Sequence, residues 1–249
     1  MKNSNRFYKC YRDFLPAIHN DLALRENIEW SNFWWDKADE SNTPMRYLLI
    51  GDSTARMVRS TFAKILKRPV DMIGSSSILN DELFVNQIDA FFDNTLYRYD
   101  AIFIQMGHHG RHRSDGSPLN EDDFNEFEKS LEALVSYLKQ FTDKIVLETI
   151  FDAVKPHKIS KVDRVFLKGR FHHVLCRIGI RKEEPDESIN IITSRKNDII
   201  ISLSMNLGEK VYLLDINKLV NKTNYVHIDH IHFEEKAKGY IANMMATML

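Results

Sequence analysis

The sequence predicts a three-layer α/β/α sandwich built on a parallel sheet of about five strands. Two observations carry this prediction. Short apolar runs alternate with segments whose apolar residues recur at helical spacing, as in chains that form parallel sheets with helices on both faces. In addition, Gly51, Gly74 and Gly107 each stand at the end of an apolar run. Because the carboxyl ends of parallel strands share one edge of a sheet, where ligands bind, we expect these three loops to lie together.

Local patterns predict the individual elements. Strands are expected at 46–50, 69–73, 100–105, 144–147 and 211–214, all of which are short apolar runs. Helices are expected at 54–67, 81–92 and 234–248. A further helix is expected after Asn120, a residue type that caps helix N-termini, with a buried apolar stripe that runs from Phe124 to Leu138.

Two segments lie outside this alternation. Residues 1–43 mix aromatic and charged side chains, and we interpret them as a helical N-terminal extension packed on the main domain. Residues 150–184 show no strong period, and between Lys155 and Lys182 nine lysines and arginines face a single acid, Asp163. This basic insertion is either a solvated surface segment or a lid that favours an anionic substrate. Residues 1–249 are thus predicted to form one domain.

The composition excludes several classes of protein. With 43% hydrophobic and 28% charged residues, the chain is typical of a soluble globule. A formal net charge of -1 gives no reason to expect a nucleic-acid partner. No apolar run approaches the roughly 18 residues of a membrane span, and the polar N-terminus lacks the apolar stretch of a signal peptide. Two cysteines do not make a disulfide framework. We therefore expect a cytoplasmic protein, with its oligomeric state left open.

Ser53 is the most informative residue. In Gly51-Asp52-Ser53 it stands at a predicted turn from strand to helix, where a hydroxyl can project from the fold as a nucleophile. The simpler alternative is that Ser53 only caps the helix. Asp229 and His232, three residues apart before the last predicted helix, are candidates for the partners of such a nucleophile. The carboxylate can fix the imidazole tautomer, and the imidazole can take the proton of Ser53.

Taken in order, these motifs resemble those of the SGNH hydrolases, the GDSL-like esterase family. The matching residues are Gly51-Asp52-Ser53 after the first strand, Gly74 after the second, Gly107-His108-His109 after the third and Asp229-His230-Ile231-His232 before the last helix. The resemblance covers roughly residues 45–249. It implies a flavodoxin-like fold.

The resemblance also implies roles for individual residues. Ser53 would be the nucleophile, His232 the base and Asp229 its orienting partner, while the backbone N–H groups of Ser53 and Gly74 would form the oxyanion hole. The third donor departs from the family pattern, because His109 follows Gly107 where the family has an asparagine. A neutral imidazole still carries one N–H to donate.

The activity implied in this way is hydrolysis of a small acyl ester, such as an O-acetyl group on a carbohydrate, without a metal or organic cofactor. Three alternatives stay open. The same triad could transfer the acyl group to a sugar hydroxyl instead of water. Two histidine groups, His108/His109/His112 and the histidines and aspartate of 227–232, could hold zinc in a metallohydrolase. Finally, the fold could serve as a non-catalytic glycan-binding module.

Overall fold

A computed structural model of the protein describes residues 11–19, 30–38, 45–95, 98–113, 115–156, 174–176 and 178–249. Its strands are β1 (Ser31–Trp34), β2 (Tyr47–Gly51), β3 (Val70–Ser75), β4 (Ala101–Gln105), β5 (Ile145–Glu148) and β6 (Val211–Leu214). Its helices are α1 (Ser53–Leu66), α2 (Glu82–Asp93), α3 (Glu121–Leu138), α4 (Glu187–Asn206), α5 (Ile216–Val220) and α6 (Glu235–Ala246). A short 3-10 turn spans Tyr11–Asp13.

The strands form one sheet in the order β1-β3-β2-β4-β5-β6. Strands β2 to β6 are parallel, and their register pairs Ile50 with both Ile73 and Ile104. These are the five strands that the sequence predicts, so the α/β fold class is confirmed. Strand β2 lies between β3 and β4, so the chain first adds β3 on one side of β2 and then crosses over to add β4 on the other. Such a reversal of strand order is where open α/β sheets bind ligands.

Alternate residues of each strand point to opposite faces, which creates the three layers. Leu48 and Ile50 belong to the core beneath α2, α3 and α4. Tyr47 and Leu49 belong to the core beneath α1, α5 and α6. The two cores explain why the strands are apolar on both faces.

The N-terminal extension differs from its prediction. Instead of a helix, Ser31–Trp34 forms the edge strand β1, which pairs antiparallel with β3. Four residues are too few for a helical period to show, and aromatic side chains suit a strand packed on one face. Trp35 stacks on Phe91 of α2, with 5.0 Å between ring centroids, so the aromatic cluster serves packing. Residues 1–10, 20–29 and 39–43 of the extension lie outside the described residues.

Helix α4 has no counterpart among the predicted elements. Its buried residues are Thr193, Lys196, Asn197, Ile200 and Leu203, so the first three side chains that face the protein interior are polar. A search for apolar period misses such a helix. Most of the basic insertion, residues 157–173 and 177, lies outside the described residues. Within the described part of the chain, every helix is too short or too polar to cross a bilayer.

Candidate active site

The turn after β2 presents Ser53 as the first residue of α1. Asp52, and not Ser53, is the N-cap, because its side chain accepts a hydrogen bond from the backbone N–H of Thr54 at 2.8 Å. Gly51 is required by close packing, since a Cβ atom there would lie 2.4 Å from the Cβ of Ala55 and 2.6 Å from the carbonyl oxygen of Gln105. The capping alternative for Ser53 is therefore wrong, and its hydroxyl is available for other contacts.

A tight hairpin before α6 carries the acid and the base. His227 and Phe233 form a β-bridge, and the backbone N–H of Ile228 donates to the carbonyl of His232 at 2.7 Å. Inside the hairpin, Oδ1 of Asp229 accepts from the backbone N–H groups of Ile231 and His232, both at 2.8 Å. The carboxylate is thus fixed by the backbone of its own turn.

The two segments meet at a single point although they are 179 positions apart in the chain. Oγ of Ser53 lies 2.7 Å from Nε2 of His232, and Nδ1 of His232 lies 2.7 Å from Oδ2 of Asp229. A carboxylate can only accept, so Nδ1 carries a proton and Nε2 of the neutral ring is the acceptor for the Ser53 hydroxyl. This arrangement can move a proton from an alcohol to an imidazole.

Electrostatics keep Asp229 ionised. Burial acts to raise the pKa of its carboxyl group, but the hydrogen bonds from the His232 ring and from the backbone N–H groups of Ile231 and His232 outweigh this effect and hold the pKa well below its usual range. The carboxylate is therefore present at every pH at which the neutral imidazole could act as a base. Asp229 is also 45% exposed, so this site is open to solvent on the acid side.

The candidate oxyanion donors lie on the same edge of the sheet but in different environments. The sequence predicts that Gly74 follows its strand, but Gly74 lies inside β3, where its register partners are Asn32 of β1 and Gly51 of β2. Gly107 and His109 stand in the loop after β4, as predicted. The roles of Gly74, Gly107 and His109 remain predictions.

The ring of His108 is a structural group and not a surface one. It is 3% exposed, and burial lowers its pKa to about 3, with Asp52 acting to raise it and Arg111 to lower it. Nε2 of His108, Oδ2 of Asp52 and Nε2 of Gln105 are buried without a protein hydrogen-bond partner among the described residues. A neighbouring cavity of about 20 Å³, lined in part by Asp52 and His109, is large enough for one water molecule.

Helix α4 supplies site-supporting residues that the sequence did not reveal. Nζ of Lys196 donates to the carbonyl oxygens of the loop after β4. The side-chain amides of Asn197 and Asn190 each bond both the N–H and the carbonyl of one backbone residue, Ile150 and Ala153 respectively. The available signal was Asp186, an N-cap residue type directly before α4.

The ends of the basic insertion contact the hairpin that carries Asp229 and His232. The backbone N–H of Val154 donates to the carbonyl of His230 at 2.9 Å. Glu183 accepts from the backbone N–H of His227 and lies 2.8 Å from its Nδ1. The insertion therefore begins and ends beside the site, as its position after β5 suggests.

The metal alternative gains no support from the described residues. Across those residues, histidine, cysteine and acidic side chains nowhere assemble in a group of three or more that could hold a metal ion. His108 is buried and His112 lies in an exposed loop.

Comparisons with known proteins support the fold. No protein-family model matches the chain, and no curated protein matches its sequence. Among solved structures, the chain is similar to the acetyl xylan esterase AlAXEase, with 18% identity, a TM-score of 0.52 and coverage of 82% of this chain and 98% of that one. It is also similar to an alpha/beta hydrolase from the metagenome of Lake Arreo, with 16% identity, a TM-score of 0.51 and coverage of 83% and 95%.

A third similar structure is the C-terminal catalytic domain of peptidoglycan O-acetyltransferase A from Streptococcus pneumoniae, with 13% identity, a TM-score of 0.50 and coverage of 84% of this chain and 94% of that one. At these identities the likeness shows the fold. The flavodoxin-like fold expected from the resemblance to SGNH hydrolases is thereby confirmed.

Proposed function

We propose that this protein is a serine esterase that hydrolyses small acyl esters, with an O-acetyl group on a carbohydrate as the expected substrate. The observation that carries the proposal is the pair of 2.7 Å contacts that joins Ser53, His232 and Asp229. The acetyl xylan esterase among the similar structures supports ester chemistry and a carbohydrate as the alcohol part of the substrate.

The reaction follows from the geometry. Oγ of Ser53 attacks the ester carbonyl carbon while its proton passes to Nε2 of His232. The tetrahedral intermediate collapses when His232 returns that proton to the leaving alcohol, which leaves an acyl group on Ser53. Water then attacks the acyl-enzyme and gives a proton to His232. When the bond between the acyl carbon and Oγ of Ser53 breaks, His232 returns that proton to Oγ, which releases the acid and restores the free serine. Asp229 stabilises the imidazolium that forms in both halves.

The decisive test compares two serines of α1. Wild type and Ser53→Ala are assayed with p-nitrophenyl acetate and labelled with a fluorophosphonate probe that reacts with activated serines. Ser60→Ala is the matched control, because Ser60 is exposed on the same helix. We expect Ser53→Ala to lose at least about 10³-fold in kcat and all labelling, and Ser60→Ala to keep both. Equal turnover by Ser53→Ala and wild type would reject the serine mechanism, and no turnover by either would favour a binding module.

Acyl transfer is the second candidate, because an O-acetyltransferase catalytic domain shares the fold. The acyl-enzyme is common to both reactions, and only the acceptor differs. Adding xylo-oligosaccharide or peptidoglycan fragments during turnover of p-nitrophenyl acetate distinguishes them. Acetylated glycan, with less acetate than p-nitrophenol released, would indicate transfer, whereas acetate equal to p-nitrophenol indicates hydrolysis.

An anionic substrate is supported by the charges around the hairpin. Arg181 and Lys182 are exposed at the end of the basic insertion, next to Glu183, which contacts the hairpin. Burial is the main cause of the lowered pKa of His230. Asp229 acts to raise that pKa, and the nearby charge of Arg111 acts to lower it. Cations in these positions would attract a carboxylate-bearing or phosphate-bearing ester.

A further inference from the structure

A buried lysine on α4 holds the loop that follows β4. Lys196 is 4% exposed, and its Nζ donates to the carbonyl oxygens of Gly107 at 2.8 Å, His109 at 3.0 Å and Gly110 at 3.1 Å. An ammonium group has three N–H donors. The three carbonyls therefore match the charged form of this side chain one to one.

The loop needs such support because its backbone is unusual. Gly107 has a φ of 143° and Gly110 a φ of 66°. Across a trans peptide bond, the C=O of one residue and the N–H of the next point in opposite directions. With the three carbonyls turned toward Lys196, the N–H groups of His108, Gly110 and Arg111 are directed away from it. The ammonium group thus sets the direction of three peptide dipoles at once.

The next residue of α4 fixes the surface on which this loop packs. A Cβ atom on Gly107 would lie 2.2 Å from Cδ1 of Ile150, so the two residues are in close contact. The side chain of Asn197 bonds the backbone of Ile150 on both sides, at 2.7 Å and 2.9 Å. Consecutive residues of one helix therefore hold the loop and its neighbour in register.

Packing alone does not account for a lysine here. Burying an ammonium group costs several kcal/mol unless it is fully hydrogen-bonded, and an apolar side chain would fill the same space without that cost. The loop follows β4, which is the neighbour of β2, so it stands beside the turn of Ser53. His109, the predicted third oxyanion donor, is one of the residues whose carbonyl Lys196 binds.

We propose that Lys196 is a positioning residue whose ammonium group holds the Gly107–Gly110 loop in the arrangement that stabilises the oxyanion formed at Ser53. This inference rests on the proposed esterase function and adds a residue to its machinery. Lys196 acts through the loop and need not touch the substrate.

The charge on Lys196 depends on the groups that face it. Its pKa is lowered to about 7, mainly by burial and also by the charge of Arg111, while Asp52 acts to raise it. His108 also interacts with it electrostatically, and the ring of Phe127 on α3 lies 5.3 Å from Nζ. Other titratable side chains line the 280 Å³ cavity that Lys196 also borders, namely His19, Asp81, His112, Arg113, Asp123 and Glu126. A neutral amine has only two N–H donors, so one loop carbonyl loses its donor as pH rises.

The test uses Lys196→Met, which keeps much of the volume and removes the donors. The control is Lys139→Met, because Nζ of Lys139 donates to the carbonyl of Leu207 at 2.8 Å, a bond of the same kind at the far end of α4. Hydrogen exchange of the amides in 106–113 is followed by mass spectrometry. We expect these amides to exchange about tenfold faster in Lys196→Met and at the wild-type rate in Lys139→Met. Unchanged exchange in Lys196→Met would overturn the proposal.

Kinetics provide the second arm. With p-nitrophenyl acetate we expect Lys196→Met to lose about 10²-fold in kcat, the cost of a misplaced oxyanion donor, with KM little changed. Lys196→Arg remains charged and can extend into the adjoining cavity, so it should restore activity and abolish any fall of kcat above neutral pH. A Lys196→Met variant as active as wild type at pH 6 would refute the positioning role. If wild type itself is inactive, the esterase proposal fails, and the exchange experiment still decides whether Lys196 holds the loop.

A third measurement does not need a variant that folds. In wild type, exchange of 106–113 is compared at pH 6 and pH 9 after correction for the chemical exchange rate. We expect protection of this segment to fall at pH 9 relative to β2 and β4. Equal protection at the two pH values would count against the ammonium group as the holding element.

Discussion

Replacing Asp229 with asparagine tests the site at the level of a single proton. Oδ1 of Asp229 accepts two backbone N–H groups at 2.8 Å, and Oδ2 faces Nδ1 of His232 at 2.7 Å. In Asp229→Asn the side-chain oxygen must keep the first position, because both backbone groups there are donors. The NH₂ group is then forced to face His232.

This forced orientation inverts the imidazole. Nδ1 must now accept a hydrogen bond, so the proton of the neutral ring moves to Nε2, which can no longer take the proton of Ser53. A carboxylate-to-amide change in such a triad lowers kcat about 10⁴-fold, equivalent to about 5.5 kcal/mol at 1.36 kcal/mol per factor of ten. Stability should change little, since the backbone bonds of the hairpin persist.

The assay is steady-state turnover of p-nitrophenyl acetate together with the melting temperature. Glu235→Gln is the matched control, because Glu235 follows the same hairpin and its carboxylate forms an exposed ion pair with Lys238, one turn further along α6. We expect full activity in the control and a loss of about 10⁴-fold in Asp229→Asn. A folded Asp229→Asn within about tenfold of wild type would refute the tautomer argument.

Two further predictions concern pH and charge. Burial raises the pKa of Glu148 to about 8. Between the unfolded pKa of about 4.3 and the folded pKa, the folded state therefore holds a proton that the unfolded chain has lost. Over this range the free energy of unfolding falls as pH rises, by up to about 1.4 kcal/mol per pH unit. Glu148→Gln should remove this fall and be more stable than wild type at pH 8 in urea denaturation; identical pH dependence in both proteins would contradict the assignment. Reversing Arg181 and Lys182 to glutamate should raise KM for an acetylated acidic glycan and leave KM for p-nitrophenyl acetate unchanged; if neither value moves, the anionic-substrate hypothesis fails.

Local sequence signals were sufficient where a pattern and its structure involve the same few residues. Asn120 heads a capping box on α3, as its residue type indicates. Leu48, Leu49 and Ile50 point alternately to the two faces of the sheet, and each face is covered by an apolar core. The strand is therefore visible in the sequence as an unbroken apolar run. The predictions went wrong where neighbours decide the structure. Ser31–Trp34 forms a strand because β3 offers it a free edge.

The sequence alone determined the order of the five parallel strands and of the four helices with an apolar stripe, and the residue types at each strand end, because apolar period and glycine placement are local features of the chain. The sequence named Ser53, His232 and Asp229 as candidate partners, but only the tertiary structure shows that they meet. It brought Ser53 to His232 across 179 positions and gave the loop after β4 a buried lysine from a helix whose inward face is polar. Such contacts depend on how the layers pack, and packing between distant segments leaves no local mark in the chain.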